Sequence, residues 1–140
     1  MLRAGRIVLE RIAAFTEAKA DFAFETTLSG RSYVPLLRRV KDAGFRLHMF
    51  YLWIPSADLA MLRIRTRVEG GGHNVPEAVV RRRFNRTLGN LFRLYRPMLD
   101  TLLFFDNSSD TPRLTFKDES GQITIRDAEL YERLRRQFAP

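Results

Sequence analysis

Cysteine is absent from the 140 residues. That excludes a disulfide framework, a thiolate zinc site and a catalytic thiol, and it suits a reducing compartment, with the cytoplasm as the default. Lysine is scarce: Lys19, Lys41 and Lys117 are the only three. None of the eight glycines precedes a lysine, so the chain holds no G-x-x-x-x-G-K-[ST] loop, whose amides, lysine and hydroxyl hold nucleotide phosphates and magnesium. Long apolar runs are lacking too. The longest, Met49 to Pro55, falls far short of the roughly 20 residues of a bilayer span. Met1 to Ile12 mixes charged and apolar residues and has no signal-peptide core.

Arginine is plentiful and unevenly placed. Between Arg63 and Arg96 nine arginines face two acids, Glu69 and Glu77, which supplies +7 of the net charge of +8. Such a concentration suits a polyanionic partner: nucleic acid, an acidic membrane surface or a nucleotide substrate. A genome that favours arginine codons accounts for the number but not for the clustering.

The length and the 45% hydrophobic content suit one domain, residues 1–140. Ala4, Ile7, Val8, Ile12 and Phe15 recur at helical steps, so Leu2 to about Lys19 is expected to be an amphipathic helix. It starts at once, with no capping residue and no preceding strand, which leads to the expectation that a leading part of the domain is missing. Phe22 to Thr27 is expected to be a strand running into a polar loop, and Ser32 to Ala43 a helix stopped by Gly44. Phe45 to Ile54 has almost no polar interruption, as expected of a strand covered on both faces in a parallel sheet. His48 within it is expected to be buried and satisfied. A third helix should run from a Ser56 cap to about Glu69, and a fourth from an Asn74 cap through Val80, Phe84, Leu88, Leu91 and Tyr95. Thr101 to Asp106 is a further strand, residues around Asp118 to Gly121 turn a small hairpin, and Asp127 to about Phe138 closes the chain as a helix. The order predicts an α/β fold with a mostly parallel sheet flanked by helices, plus the C-terminal hairpin and helix.

Ligands of open parallel sheets sit at the carboxyl ends of strands. After the first expected strand come Glu25, Thr26 and Thr27, a carboxylate with hydroxyls suited to a polyhydroxylated substrate, or simply a polar strand end. After the last come Asp106, Asn107 and Ser108, ligand contacts or an Asx-turn. Residues 65–83 read as helix, glycine break, helix. Arg67 approaches the break from one side, while Arg82 and Arg86 share a helix face on the other, so several guanidiniums could converge on one anion when the glycine hinge closes. His73 in the break suits phosphate contact better than metal binding. A nucleic-acid surface would interleave aromatics with the exposed arginines, whereas Phe84, Phe92 and Tyr95 fall on the apolar stripe.

Taken in order, residues 2–6 (Leu-Arg-Ala-Gly-Arg), 22–30 (Phe-Ala-Phe-Glu-Thr-Thr-Leu-Ser-Gly), 71–76 (Gly-Gly-His-Asn-Val-Pro), 81–84 (Arg-Arg-Arg-Phe) and 105–108 (Phe-Asp-Asn-Ser) resemble the zeta-toxin family of P-loop kinases and the related predicted ATPases. The resemblance covers most of residues 1 to about 115. It implies a P-loop NTPase-like fold and an ATP- and magnesium-dependent phosphotransferase, whose toxin members phosphorylate UDP-N-acetylglucosamine and have antitoxin partners. It implies substrate contacts at Glu25 and Thr27, with Ser29 where the sugar-nucleotide members carry arginine. Arg67 with Arg82 or Arg83 would be the lid arginines, His73 would lie near phosphate, and Asp106 and Asn107 near the nucleotide base. The family's first strand, phosphate loop and catalytic aspartate precede the helix at which this sequence starts. The expectation is therefore a substrate loop and lid without transfer activity of their own, binding a nucleotide and a small-molecule substrate only if the full domain exists, and open to self-association at an exposed sheet edge. If Met1 is a misassigned start, the longer protein is an active kinase. The rival reading is an arginine-rich module that binds a polyanion or nucleic acid without chemistry.

Overall fold

The computed structural model describes residues 2–138, with side chains from Gly5 onward. Helix α1, Leu2–Glu17, buries Ile12 fully and rests Val8 and Leu9 on the core. Helix α2, Tyr33–Asp42, buries Leu36, Leu37 and Val40, and Gly44 ends it with a φ of +94° that a side chain would strain. Strand β1 is His48–Trp53. Helix α3, Ala57–Glu69, is capped by the Ser56 hydroxyl, which accepts from the Leu59 amide at 3.1 Å. Helix α4, Glu77–Asn90, continues as a π-helical stretch Leu91–Tyr95 and a 3-10 turn Arg96–Met98. The wider π turn lets Leu91, Phe92 and Tyr95 all face the core. Strands β2 (Thr101–Asp106), β3 (Arg113–Glu119) and β4 (Gln122–Ile125) precede helix α5, Ala128–Phe138. The Asp127 carboxylate accepts from the Leu130 amide at 3.0 Å and starts that last helix.

The fold is mixed α/β with an open four-stranded sheet in the order β1-β2-β3-β4. The expectation of a mostly parallel sheet is corrected: β1 pairs with β2 in parallel, but β2–β3 and β3–β4 are antiparallel. Parallel pairing of β1 and β2 is possible because α3 and α4 form the crossover. The turn between β3 and β4 confirms the expected hairpin, with Ser120 and Gly121 both at positive φ.

Phe22–Thr27 alternates half-buried and exposed residues from Phe22 to Glu25, but it is not a strand. Helix side chains hold its last residue and the loop that follows. The hydroxyl of Thr87 lies 2.8 Å from the Thr27 carbonyl, Asn90 Nδ2 donates to the Leu28 carbonyl at 2.7 Å, and the Tyr95 hydroxyl donates to the Gly30 carbonyl at 2.7 Å. Its aromatic side chains pack as a ring cluster, Phe22 with Phe15, Phe24 and Phe45, and Phe24 with Tyr33.

One face of the sheet carries the core. Tyr51, Phe104 and Phe116 stack across three strands at 5.1 and 4.9 Å, and Tyr131 of α5 meets Phe116 edge-on at 4.9 Å. Arg96 reaches this layer with its guanidinium 5.4 Å from the rings of both Phe92 and Phe116, and its Nε donates to Asp118 at 2.7 Å. On the opposite face β1 presents His48, Phe50 and Leu52 to solvent. The expectations that β1 is covered on both faces and that His48 is buried are both overturned. Among the described residues β1 is an edge strand, and every helix residue in the core cluster packs with the other side-chain parity.

Candidate functional site

Where β1 ends, α3 leaves and α4 returns, a cleft of about 500 Å³ opens between them. Helix spacing dictates its walls. Ala60, Ile64 and Arg67, at steps of four and three, form one face of α3; Val80, Arg83, Phe84, Thr87 and Leu88 form one face of α4. The floor is β1 from Tyr51 to Trp53 with Ile54, and the polar rim is completed by Thr27, Gly72 and His73. Burial pushes the Tyr51 hydroxyl well above its ordinary value of 10.0, so it stays a neutral donor at any physiological pH.

The glycine run that positions His73 is a built helix stop rather than a loose hinge. The Gly70 amide donates to Thr66, that of Gly71 to Val68 at 2.9 Å and that of Gly72 to Arg67 at 2.8 Å, with Gly71 at a φ of +93°. This is a Schellman closure of α3. A Cβ on Gly72 would lie 2.8 Å from the Arg67 carbonyl oxygen, so only glycine lets the chain fold back there. As a result His73 and Arg67 line the same cleft. Asn74 does not cap α4, since the residue before its first turn is Pro76, with no side-chain cap.

Of the residues singled out in the sequence, Thr27, Arg67, His73 and Arg83 line the cleft. Four others lie outside that lining. Glu25 is exposed on the segment before α2, and Arg82 is exposed, a helical step of about 100° away from the half-buried Arg83. Asp106 accepts from the Ser108 amide at 2.9 Å, the plain Asx-turn, and the Asn107 amide donates to the Trp53 carbonyl at 2.8 Å. Both are thus tied to the cleft's floor without forming it. The arginine cluster is dispersed: Arg81 bridges Asp58 and Glu77 at 2.7 and 2.8 Å, latching α4 to the start of α3, and Arg96 belongs to the core. From the sequence, Tyr51 and Trp53 fall in an expected buried strand and Ile64 is not singled out. The i, i+4, i+7 row that joins Ala60 and Ile64 to Arg67 is the signal that would have found the wall.

These side chains do not fit magnesium. The groups at the cleft are guanidinium, imidazole and hydroxyl, the nearby carboxylates Asp58 and Glu77 are engaged by Arg81, and no carboxylate lines the cleft among the described residues. Nor do they cradle the phosphates of ATP, because all three glycine amides are turned onto α3.

No family model matches the chain. A protein of Haemophilus influenzae (strain Rd), described as an uncharacterized protein, is 36% identical over 63 residues, 45% of this chain and 45% of that protein. The alignment thus spans less than half the length of that relative. No solved structure matches. No helix of the described residues is long and apolar enough to cross a membrane.

Proposed function

We propose that the cleft binds the phosphate group of a small phosphorylated molecule, and that the chain is the substrate-and-lid portion of a zeta-toxin-type phosphotransferase that does not transfer phosphate by itself. The observation carrying this reading is that Arg67 and Arg83 arrive from two different helices at one cleft already holding His73 and Thr27. Two guanidiniums present planar donors to a phosphate, and the apolar walls lower the local dielectric and strengthen the attraction. The turned-in glycine amides support binding without transfer, since they cannot stabilise a γ-phosphate.

Calorimetric titration with inorganic phosphate tests it. The wild-type chain should bind saturably, and Arg67→Ala with Arg83→Ala should weaken binding at least about tenfold. Affinity unchanged in the double variant rejects the reading.

A second reading has its own observation. Arg82, Arg86 and Arg93 are exposed at steps of four and seven along α4 and its continuation, a basic strip that suits a polyanion. It is distinguished by salt, because displacement of counterions makes polyanion binding fall steeply as salt rises, and by its loss in Arg82→Ala with Arg86→Ala.

A further inference from the structure

The walls of the cleft say more about the ligand than its rim does. Arg67 sits at one end of a row on α3 whose other members, Ile64 and Ala60, are aliphatic. Ala60 and Arg67 are seven positions apart, so the row extends about 10 Å at the helical rise. Phe84 and Val80 oppose it from α4, and Tyr51 and Trp53 lie beneath. Two arginines and His73 thus share a cleft whose lining is otherwise mostly hydrocarbon. Among the described residues no Asn, Gln, Asp or Glu lines the cleft, so beyond the arginines a nucleobase edge or the hydroxyls of a sugar would meet only His73 and the hydroxyls of Thr27, Tyr51 and Thr87. A polar ligand body would lose its water there and find few partners in return, a costly exchange. An apolar body would gain from the same walls.

We infer that the ligand is a phosphomonoester of an apolar body, aryl or alkyl, about 10 Å long, with its phosphate at Arg67 and Arg83 and its hydrocarbon along Ile64, Ala60 and Phe84. This assignment rests on the cleft being the phosphate site proposed above. It separates the ligand from nucleotides and sugar phosphates by what surrounds the phosphate, not by the phosphate itself.

Calorimetry with four probes decides it: 1-naphthyl phosphate, ribose 5-phosphate, inorganic phosphate and 1-naphthol. The naphthyl ester should bind at least about tenfold more tightly than ribose 5-phosphate, since burial of about 60 Å² of apolar surface suffices for that factor. Ala60→Leu, which narrows the apolar wall, should abolish the preference. If that variant fails to fold, Ile64→Ser should reduce the same preference. Equal affinity for the naphthyl and ribose esters overturns the inference while the phosphate site stands. Naphthol binding as tightly as its phosphate also overturns it, because the arginines then play no part. Failure of every phosphate-bearing probe to bind overturns the phosphate site itself, and the inference with it.

Discussion

The two faces of the sheet are built from similar residues and have opposite fates. Trp53, Leu102, Phe104 and Phe116 lie on one face and are all buried; Phe50 and Leu52, which alternate with Tyr51 and Trp53 in β1, stand 70% and 55% exposed. Hydrophobicity along a strand thus records how apolar each side is, whereas cover depends on whether some other element arrives to supply it. α2, the π turn after α4 and α5 all contribute residues to the core cluster with Phe104. Nothing among the described residues does so for Phe50.

The comparison can be broken most forcefully at Phe104, the middle of the aromatic stack. Phe104→Ala should destabilise the fold by about 3–5 kcal/mol, whereas Phe50→Ala on the bare face should change it by less than about 0.5 kcal/mol. Urea denaturation of both variants checks the contrast, and equal effects would mean that Phe50 is covered in solution. Next comes Arg96, whose guanidinium is sandwiched between rings and paired with Asp118, the two side chains being only 16% and 12% exposed. Arg96→Ala removes the carboxylate's cation and leaves it only the Gly121 amide at 2.8 Å, which should cost about 3 kcal/mol, while the double variant with Asp118→Asn should recover part of the loss. Denaturation of the single and double variants measures it.

A smaller effect lies at Asp100, which ties α2 to the start of β1. It accepts from the Leu47 amide at 2.8 Å and from Lys41 at 3.3 Å, and the amide bond first, then the lysine, holds its carboxyl below the ordinary 3.8. The folded form therefore binds the proton less readily than the unfolded chain. Its contribution is complete above about pH 3.8 and is lost as pH falls through the lower folded value. Acid titration followed by circular dichroism should show this limb, and Asp100→Asn should flatten it. The smallest change in stability is expected from Phe50→Lys with Leu52→Lys, yet this pair sharpens the comparison in another way. The outer edge of β1 and its bare side chains suit self-pairing, so wild type should show concentration-dependent size by sedimentation and the lysine variant should not.

Much of the architecture was legible because local signals agreed with it. Ser56 capped its helix, Gly44 stopped one, and the strand at Thr101–Asp106 matched its apolar run. Failures arose where a decision lies far away in the chain. Phe22–Thr27 has the alternation of a strand, but Thr87, Asn90 and Tyr95 satisfy the loop backbone that follows it, and no partner strand is needed. Arg82 and Arg83 are equivalent as letters, and only the phase of α4 against α3 turns Arg83 inward. The same phase converts Phe84 from a stripe residue into a cleft wall, facing Ile64.

Trp53 is the chain's single tryptophan. It lines the cleft, and the Arg133 guanidinium stands 5.7 Å from its ring. The indole's emission responds to nearby charge and water, so a molecule entering the cleft alters the one strong fluorophore the protein owns. Tryptophan emission should therefore follow any ligand of the cleft, free of any attached dye.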